Sequence, residues 1–324
     1  MQAITYDRYG EADVLELREI DTPAPAPDEV VVQVRAAGLD RGVWHLMAGL
    51  PYPIRLAGYG VRAPKNPVIG ADVAGVVTAI GSGVTRFTPG DEVYGIGKGT
   101  YAEYARVLER KLAPKPANVT FEQAAVVPIS GLTALQAVRD QGEVHADQRV
   151  LITGASGGVG SFAVQVAKAF GAQVTAVCSA GKADFVRSLG ADHVLDYRRD
   201  DFVDSGPYDV ILDINGNATL QRLRRALTPK GTLVITGGET GGRWLGGNDR
   251  QLRALLLSPL VGQRLRTFIS SENHDDLHAL TELIEAGKVT PAVDRHFPLA
   301  EAPEAIRYLL DGQARGKVAI TMGG

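Results

Sequence analysis

Three glycines at three-residue spacing, Gly154, Gly157 and Gly160, join the apolar run Val150-Leu151-Ile152-Thr153 to a segment with apolar residues at Phe162, Val164, Val166, Ala169 and Phe170. Strand, glycine turn and helix make the first half of a βαβ nucleotide-binding unit. The chemistry is anion binding. The N–H groups and positive dipole end of a helix N-terminus attract a pyrophosphate. Gly157 and Gly158 let the backbone come close to it, where a Cβ would intervene, and Gly160 lets the helix settle on the strand. With Ser156 and Val159 between them, these residues are the expected pyrophosphate contacts. The spacing is G-x-x-G-x-x-G rather than G-x-G-x-x-G, and glycine by itself is common in turns. The flanking strand and helix, and a second apolar run from Gln173 to Cys178, supply the context that a bare loop lacks.

That second run ends Ala176-Val177-Cys178-Ser179-Ala180-Gly181-Lys182. NAD-selective folds end this strand on an acidic residue that accepts the ribose 2′-hydroxyl. Ser179 stands there instead, Lys182 follows three residues on, and Tyr197, Arg198 and Arg199 follow a third run. A hydroxyl, an ammonium and a phenol suit a 2′-phosphate that a carboxylate would repel. NADPH is therefore expected over NADH. The alternative is that Lys182, Arg198 and Arg199 are solvated surface charges.

Other chemistries are poorly supplied. Cys178 is the single cysteine, so a zinc site built from several thiolates is arithmetically excluded. At a strand end it reads as a small core residue. No Ser-His-Asp order or paired-carboxylate site has supporting context, which weakens hydrolase readings. The net charge of −3 gives no basic field for nucleic acid or anionic lipid. No apolar run is long enough to cross a bilayer, and the first residues lack a basic stretch followed by an apolar one; the cytoplasm is expected.

The elements that must position these residues fall into two patterns. At 324 residues the chain suits two domains. The first third is β-rich. Val14–Leu17 and Val30–Val34 are strand-like, flanking a proline-rich link, and a short helical stretch carries Trp44 and His45. Gly70–Gly81 and Val84–Gly95 read as strands broken by glycines, as at bends or close approaches. Helical segments at 121–127 and 131–140 precede an alternation: strand 149–153, helix 161–171, strand 173–178, helix 182–189, strand 192–196, strand 208–213, helix 217–227 and strand 231–236. Such alternation implies a parallel sheet covered by helices. A loop rich in glycine (Gly237, Gly238, Gly241, Gly242, Gly246, Gly247) carries Trp244; glycine content alone does not establish that residues 241–250 move on binding. The tail, with a helix at 273–286, a strand near 293–297, a helix at 302–311 and a last strand in 316–321, has too few strands for a third domain and is expected to rejoin the first.

Together these residues resemble the medium-chain dehydrogenase/reductase superfamily, and within it the zinc-free quinone oxidoreductase (zeta-crystallin-like) branch. The landmarks are Ala36-Ala37-Gly38-Leu39-Asp40, Gly70-Ala71-Asp72-Val73-Ala74-Gly75, Phe87-Thr88-Pro89-Gly90-Asp91, Gly131-Leu132-Thr133-Ala134, the glycine turn, Leu189-Gly190-Ala191-Asp192 and Gly316-Lys317. The resemblance implies a GroES-like β-rich catalytic domain over residues 1–123, completed by 271–324. A doubly wound Rossmann domain, 124–270, is inserted in it, with the active site between domains. It also implies a homodimer through an edge strand at 263–270, with Leu265 and Phe268 as apolar members.

Zinc-dependent relatives carry a cysteine where this chain has Asp40, and His-Glu at Ala71-Asp72. Asp40, Asp72 and His45 make an unconvincing substitute, because catalytic zinc leans on His and Cys. No metal is expected. Without a Lewis acid the acceptors should already be electron-poor: quinones or α,β-unsaturated ketones and aldehydes. The resemblance marks Thr133, Thr236, Gly237, Gly238, Gly316 and Lys317 as further cofactor contacts. The alternative for Thr133 is a helix-start cap, and for Lys317 a solvated charge. Candidate catalytic residues are Tyr52, which can donate a phenolic hydrogen bond; Asp40, where the branch usually has Asn and where a local cap is an equal reading; and His45 as a proton shuttle. Trp44 and Trp244 could wall an aromatic substrate, though packing is a tryptophan's default role. Alternatives are an enoyl-thioester reductase and a non-catalytic NADPH-binding sensor or structural protein.

Overall fold

The alternation of short β-branched runs with amphipathic segments becomes fifteen strands and ten helices among the described residues, 1–238 and 242–323, of the computed structural model. In chain order the first are β1 (Gln2–Thr5), β2 (Glu16–Glu19), β3 (Glu29–Leu39), α1 (Arg41–Ala48), β4 (Asp72–Ile80), β5 (Glu92–Ile96), β6 (Tyr104–Leu108), β7 (Leu112–Pro114), α2 (Phe121–Ala125) and α3 (Pro128–Gln136). The middle holds β8 (Arg149–Thr153), α4 (Gly158–Ala169), β9 (Gln173–Cys178), α5 (Ala183–Ser188), β10 (His193–Asp196), β11 (Tyr208–Asp213), α6 (Leu220–Arg225), β12 (Leu227–Ile235), α7 (Gly242–Leu245), α8 (Asn248–Leu257) and β13 (Arg264–Thr267). The last are α9 (His274–Glu285), β14 (Val293–Pro298), α10 (Ala302–Leu310) and β15 (Lys317–Thr321).

The chain divides into two units. One comprises residues 1–132, 272–286 and 291–324; the other comprises 133–271 and 287–290. The first division falls within α3, not at 124, because α2 packs on β3 and β4.

In the first unit a seven-stranded sheet runs β14-β15-β3-β4-β5-β7, with β6 also on β3, and a β1–β2 pair lies apart from it. The tail strands thus join the N-terminal sheet. Register does the positioning. In the antiparallel β15–β3 pair Val318 lies opposite Leu39, so Lys317 comes level with Asp40. In the antiparallel β3–β4 pair Ala36 lies opposite Ala74, so Asp72, two residues back, comes level with Gly38. The rest of the sheet is held by an apolar core that includes Ile4, Val32, Leu39, Val43, Met47, Val73, Phe297 and Ile320, with Trp44 packed against it.

The second unit holds a six-stranded, wholly parallel sheet in the order β10-β9-β8-β11-β12-β13. Counted from β8 this is 3-2-1-4-5-6, the doubly wound order of dinucleotide-binding folds. Its inner strands β8, β9 and β11 are largely buried, as covering helices on both faces require.

Some elements differ from the sequence reading. The helix after the glycine turn starts at Gly158 rather than 161, because no side chain is needed to turn the chain there. The helix of 217–227 shortens to α6, with Thr219 as its cap accepting from Arg222 N. The glycine-rich loop gives way at 248 to α8, a ten-residue helix that the flanking glycines obscured. Residues 248–250 therefore form its first turn, and Gly241 lies outside the described residues. Thr133 does not cap a helix start: it is the sixth residue of α3, and its hydroxyl donates to Ser270 Oγ at 3.2 Å.

Candidate active site

In the second unit the glycine turn leads directly from β8 into α4. Gly157 occupies the N-cap position with extended backbone and no side chain to satisfy the first N–H groups of the helix. A Cβ on Gly157 would meet nothing nearer than Gly154 O at 3.5 Å, so the approach to those groups is open. Gly160 answers a different constraint: its Cβ would lie 2.1 Å from Gly154 O, so a side chain there would push the helix off the turn. At the next strand ends, β9 and β10 pair with Cys178 opposite Asp196, which brings Ser179 beside Tyr197. The Tyr197 N–H donates to Cys178 O at 3.2 Å, and Lys182 N–H donates to Ser179 O at 2.9 Å, so the backbones of the three residues gather at the ends of β9 and β10. Tyr197 is 56% exposed, with Arg198 stacked over its ring. The Asp196 carboxylate accepts from Arg198 N at 3.1 Å, within its own turn. Burial, then the charge of Asp196, raise the Cys178 thiol, in keeping with an inert core cysteine. The open N-terminus of α4 and the tight packing at Gly160 fit a dinucleotide.

At the carboxyl ends of β11 and β12, Thr236 N–H donates to Asp213 O at 3.2 Å, and the backbone of Gly237 and Gly238 follows.

In the first unit the β15–β3–β4 register assembles a buried charged cluster. Lys317 is 1% exposed, Asp40 7% and Asp72 0%. The Lys317 ammonium hydrogen-bonds Asp40 Oδ1, donates to Ser130 Oγ at 3.1 Å and lies 3.8 Å from Asp72 Oδ2. Ser130 donates to Asp40 Oδ1 at 2.7 Å, and Ile129 N–H donates to Asp72 Oδ1 at 3.0 Å. Burial by itself would raise the Asp40 carboxyl. The Lys317 ammonium and hydrogen bonds from Asp72, Lys317 and Ser130 outweigh it and hold the group below the ordinary range. Burial, followed by the charge on Asp40, pushes Asp72 well above that range. Asp72 is therefore the member of the pair that favours its neutral form. Two ionised carboxylates would each leave a buried oxygen without a donor, Asp40 Oδ2 and Asp72 Oδ2; one proton serves both. The cluster is one cation, one anion and one neutral acid.

This arrangement corrects two readings. Asp40 sits at the N-cap of α1, yet its side chain makes no capping bond. Lys317 is not solvated, and its ammonium is committed to Asp40 and Ser130, which weighs against direct contact with a cofactor. Gly316, at φ +82°, turns the chain into β15. The signal available in the sequence was a charged residue opening or interrupting an apolar strand, at Lys317-Val318-Ala319-Ile320 and Ala71-Asp72-Val73-Ala74, because such charges are almost never buried unpaired.

Tyr52 lies in the loop after α1, under the Arg55 guanidinium at 5.0 Å from its ring centroid. Arg55 also covers the Tyr9 ring at 4.3 Å and donates to Gly49 O at 2.9 Å, which fixes the loop. His45 Nδ1 bonds Leu50 O at 3.0 Å. Trp44 packs on the core and reaches Glu11, whereas Trp244 is 72% exposed.

The donor set does not fit zinc. Among the described residues no group of three or more His, Cys, Asp and Glu side chains is placed to hold a metal ion. Lys317 occupies the position where a cation would neutralise Asp40 and Asp72.

Two family models match the chain: one described as an alcohol dehydrogenase GroES-like domain, over residues 26–117, and one described as a zinc-binding dehydrogenase, over residues 189–320. Among relatives, the chloroplast envelope quinone oxidoreductase homolog of Arabidopsis thaliana is 33% identical, with 99% of this chain and 98% of the relative covered. The 2-methylene-furan-3-one reductase of Solanum lycopersicum is 33% identical over 99% of this chain and 79% of its own. Among solved structures, the Escherichia coli quinone oxidoreductase complexed with NADPH superposes with a TM-score of 0.84 at 27% identity, over 99% of this chain and 100% of that one.

Proposed function

We propose that this chain, which belongs to the medium-chain dehydrogenase/reductase superfamily among its quinone oxidoreductase-like proteins, is an NADPH-dependent, zinc-independent reductase of quinones or α,β-unsaturated ketones and aldehydes. That it is an oxidoreductase using a nicotinamide cofactor follows from its relatives. The metal-free part of this reading is supported chiefly by one observation: the Lys317 ammonium, bonded to Asp40 and 3.8 Å from Asp72, balances the buried charge.

The proposed cofactor cradle is Gly154, Ser156, Gly157, Gly158, Val159 and Gly160 for the pyrophosphate, and Ser179, Lys182 and Tyr197 for the 2′-phosphate. Thr133 and the backbone of Thr236, Gly237 and Gly238 are proposed at the nicotinamide end. When bound, the nicotinamide supplies the hydride. The protein's part is to stabilise the oxygen on which negative charge develops and to see a proton delivered. Asp40, held ionised by Lys317, accepts hydrogen bonds and does not donate them. The donor proposed is therefore the Tyr52 hydroxyl, whose ring Arg55 orients. His45, anchored through Nδ1 to Leu50 O, is the second choice.

A homodimer built along β13 is part of the reading. β13 ends the sheet order, and exposed Leu252, Leu255, Leu256, Leu260 and Ile269 lie near it in sequence. Leu265 is withdrawn as a contact because it is buried in its own core. No helix among the described residues is long and apolar enough to cross a membrane; a cytoplasmic location is proposed.

The test is a fluorescence titration of chelator-treated protein with NADPH and NADH, followed by NADPH consumption across quinones and enones. Tighter NADPH binding and turnover without metal are expected. Turnover only after zinc is restored, or preference for NADH, overturns the reading.

A further inference from the structure

A second buried ion pair lies at the carboxyl edge of the parallel sheet. Asp213 ends β11, and its side chain is wholly buried. One carboxylate oxygen accepts from Thr153 Oγ1, at the end of β8, at 2.7 Å. The other is bonded by Arg250 Nη2, from the first turn of α8. The same guanidinium reaches two loop carbonyls: Nη1 donates to Ala218 O at 2.7 Å, in the loop after β11, and Nη2 to Gly237 O at 3.3 Å, just beyond β12. The entry to α8 presses on this last loop as well. A Cβ on Gly247 would lie 2.8 Å from Gly238 Cα, and one on Gly238 would lie 3.0 Å from Gly247 Cα.

One planar group thus ties together the ends of β8 and β11, the loops after β11 and β12, and α8. Ligands of open α/β sheets bind outside the carboxyl ends of the strands. An arginine fork can satisfy a carboxylate and two carbonyls at fixed angles, which a lysine cannot. Nothing in the hydride chemistry requires a buried ion pair at this place. A stability role alone would be met as well by apolar residues.

We propose that Arg250 is a positioning residue for the dinucleotide: anchored on Asp213, it sets the backbone at Ala218 and Gly237 before the cofactor arrives. This rests on the cofactor site proposed above. Pre-forming a binding loop lowers the ordering cost at binding, so its loss appears mainly in cofactor affinity.

The experiment compares R250M, R250K and the double variant R250M/D213N with wild type, by NADPH fluorescence titration, by thermal unfolding and by separate KM values for NADPH and acceptor. R250M leaves a buried carboxylate unpaired, so a fall in its stability alone is uninformative. The double variant removes both charges and leaves Thr153 a side-chain carbonyl to donate to, so its stability should recover. Its dissociation constant for NADPH should nonetheless stay raised about 10–100-fold, as the ordering cost of the loop returns to the binding step. The acceptor KM should stay within about two-fold and R250K should rescue only in part, because a point charge replaces a fork. Recovery of NADPH affinity together with stability in the double variant would overturn the proposal, since Arg250 would then be only the partner of Asp213. Failure of wild type to bind NADPH would overturn the cofactor site itself, and the positioning role with it.

Discussion

Replacing Lys317 by Met tests the buried cluster, because Met keeps the length and apolar stem but removes the ammonium. Asp40 then has two ways to respond. It can stay ionised without its cation, and breaking one side of a buried pair costs about 3–5 kcal/mol. It can instead take up a proton; from an ordinary value of 3.8, at about 1.36 kcal/mol per unit, that costs about 4.4 kcal/mol at about pH 7 and about 1.6 kcal/mol at about pH 5. The cheaper route wins. A loss of about 3–4 kcal/mol is expected at about pH 7, shrinking toward about 1.6 kcal/mol at about pH 5.

The sign follows from linkage. In wild type the Asp40 carboxyl lies below its unfolded value, so its stabilising contribution is fully present above 3.8 and is lost only as pH falls through the depressed folded value. It is constant over the range tested. Asp72 lies above its unfolded value, so its ionisation opposes folding as pH rises, but it holds the same proton in both proteins and cancels in the difference. What remains is the variant's own titration. The assay is urea unfolding in a W244F background, so that Trp44, packed on the first unit's core, reports that unit alone. A deficit below about 1 kcal/mol, or one that does not change with pH, would refute a charged Lys317–Asp40 pair. D72N is the matched control: Asn mimics the neutral acid, keeps an acceptor for Ile129 N–H, and should stay within about 1 kcal/mol of wild type.

S179D places a carboxylate at the corner shared by Ser179, Lys182 and Tyr197, so NADPH affinity should fall about 10–100-fold while NADH is little affected, since each tenfold is only about 1.4 kcal/mol of repulsion; titration with both nucleotides reads it, and equal losses for both would count against a 2′-phosphate pocket. Y52F should lower kcat about 100-fold at unchanged NADPH affinity if the phenol serves as acid, and a kcat within two-fold of wild type would move that role to His45 or water. N273A removes the cap that accepts from Asp276 N–H at 2.8 Å and should cost about 1 kcal/mol in unfolding experiments. Light scattering of L256D/L260D should give a monomer where wild type gives a dimer; a wild-type monomer at working concentration removes the dimer from the proposal.

The parallel sheet was legible because its signal is local and repeated. The inner strands β8, β9 and β11 are dominated by apolar residues, and the glycine turn carries a constraint at Gly160 that a single Cβ would violate. The nearness of Ser179 and Tyr197 was legible for the same reason: they follow the ends of two neighbouring strands. α8 was not legible, since glycines flank it and its leucines are largely exposed, leaving no buried stripe to read.

The two ion pairs were hidden for a deeper reason. Lys317 and Asp40 are 277 residues apart and Asp213 and Arg250 are 37 apart, and each pair is made by strand or helix placement, not by spacing. A buried lysine among apolar neighbours tells the reader that a partner exists. It does not say which of many carboxylates it is, because that depends on register. Once β15 pairs with β3 at Val318 and Leu39, the partner is fixed, and so is a consequence for function. Two carboxylates side by side must be neutralised by a metal, a proton or an internal cation. Here Lys317 supplies the cation and Asp72 keeps a proton, so the site needs no metal to be charge-balanced. A metal entering it would have to displace a buried ammonium already hydrogen-bonded to Asp40 and Ser130.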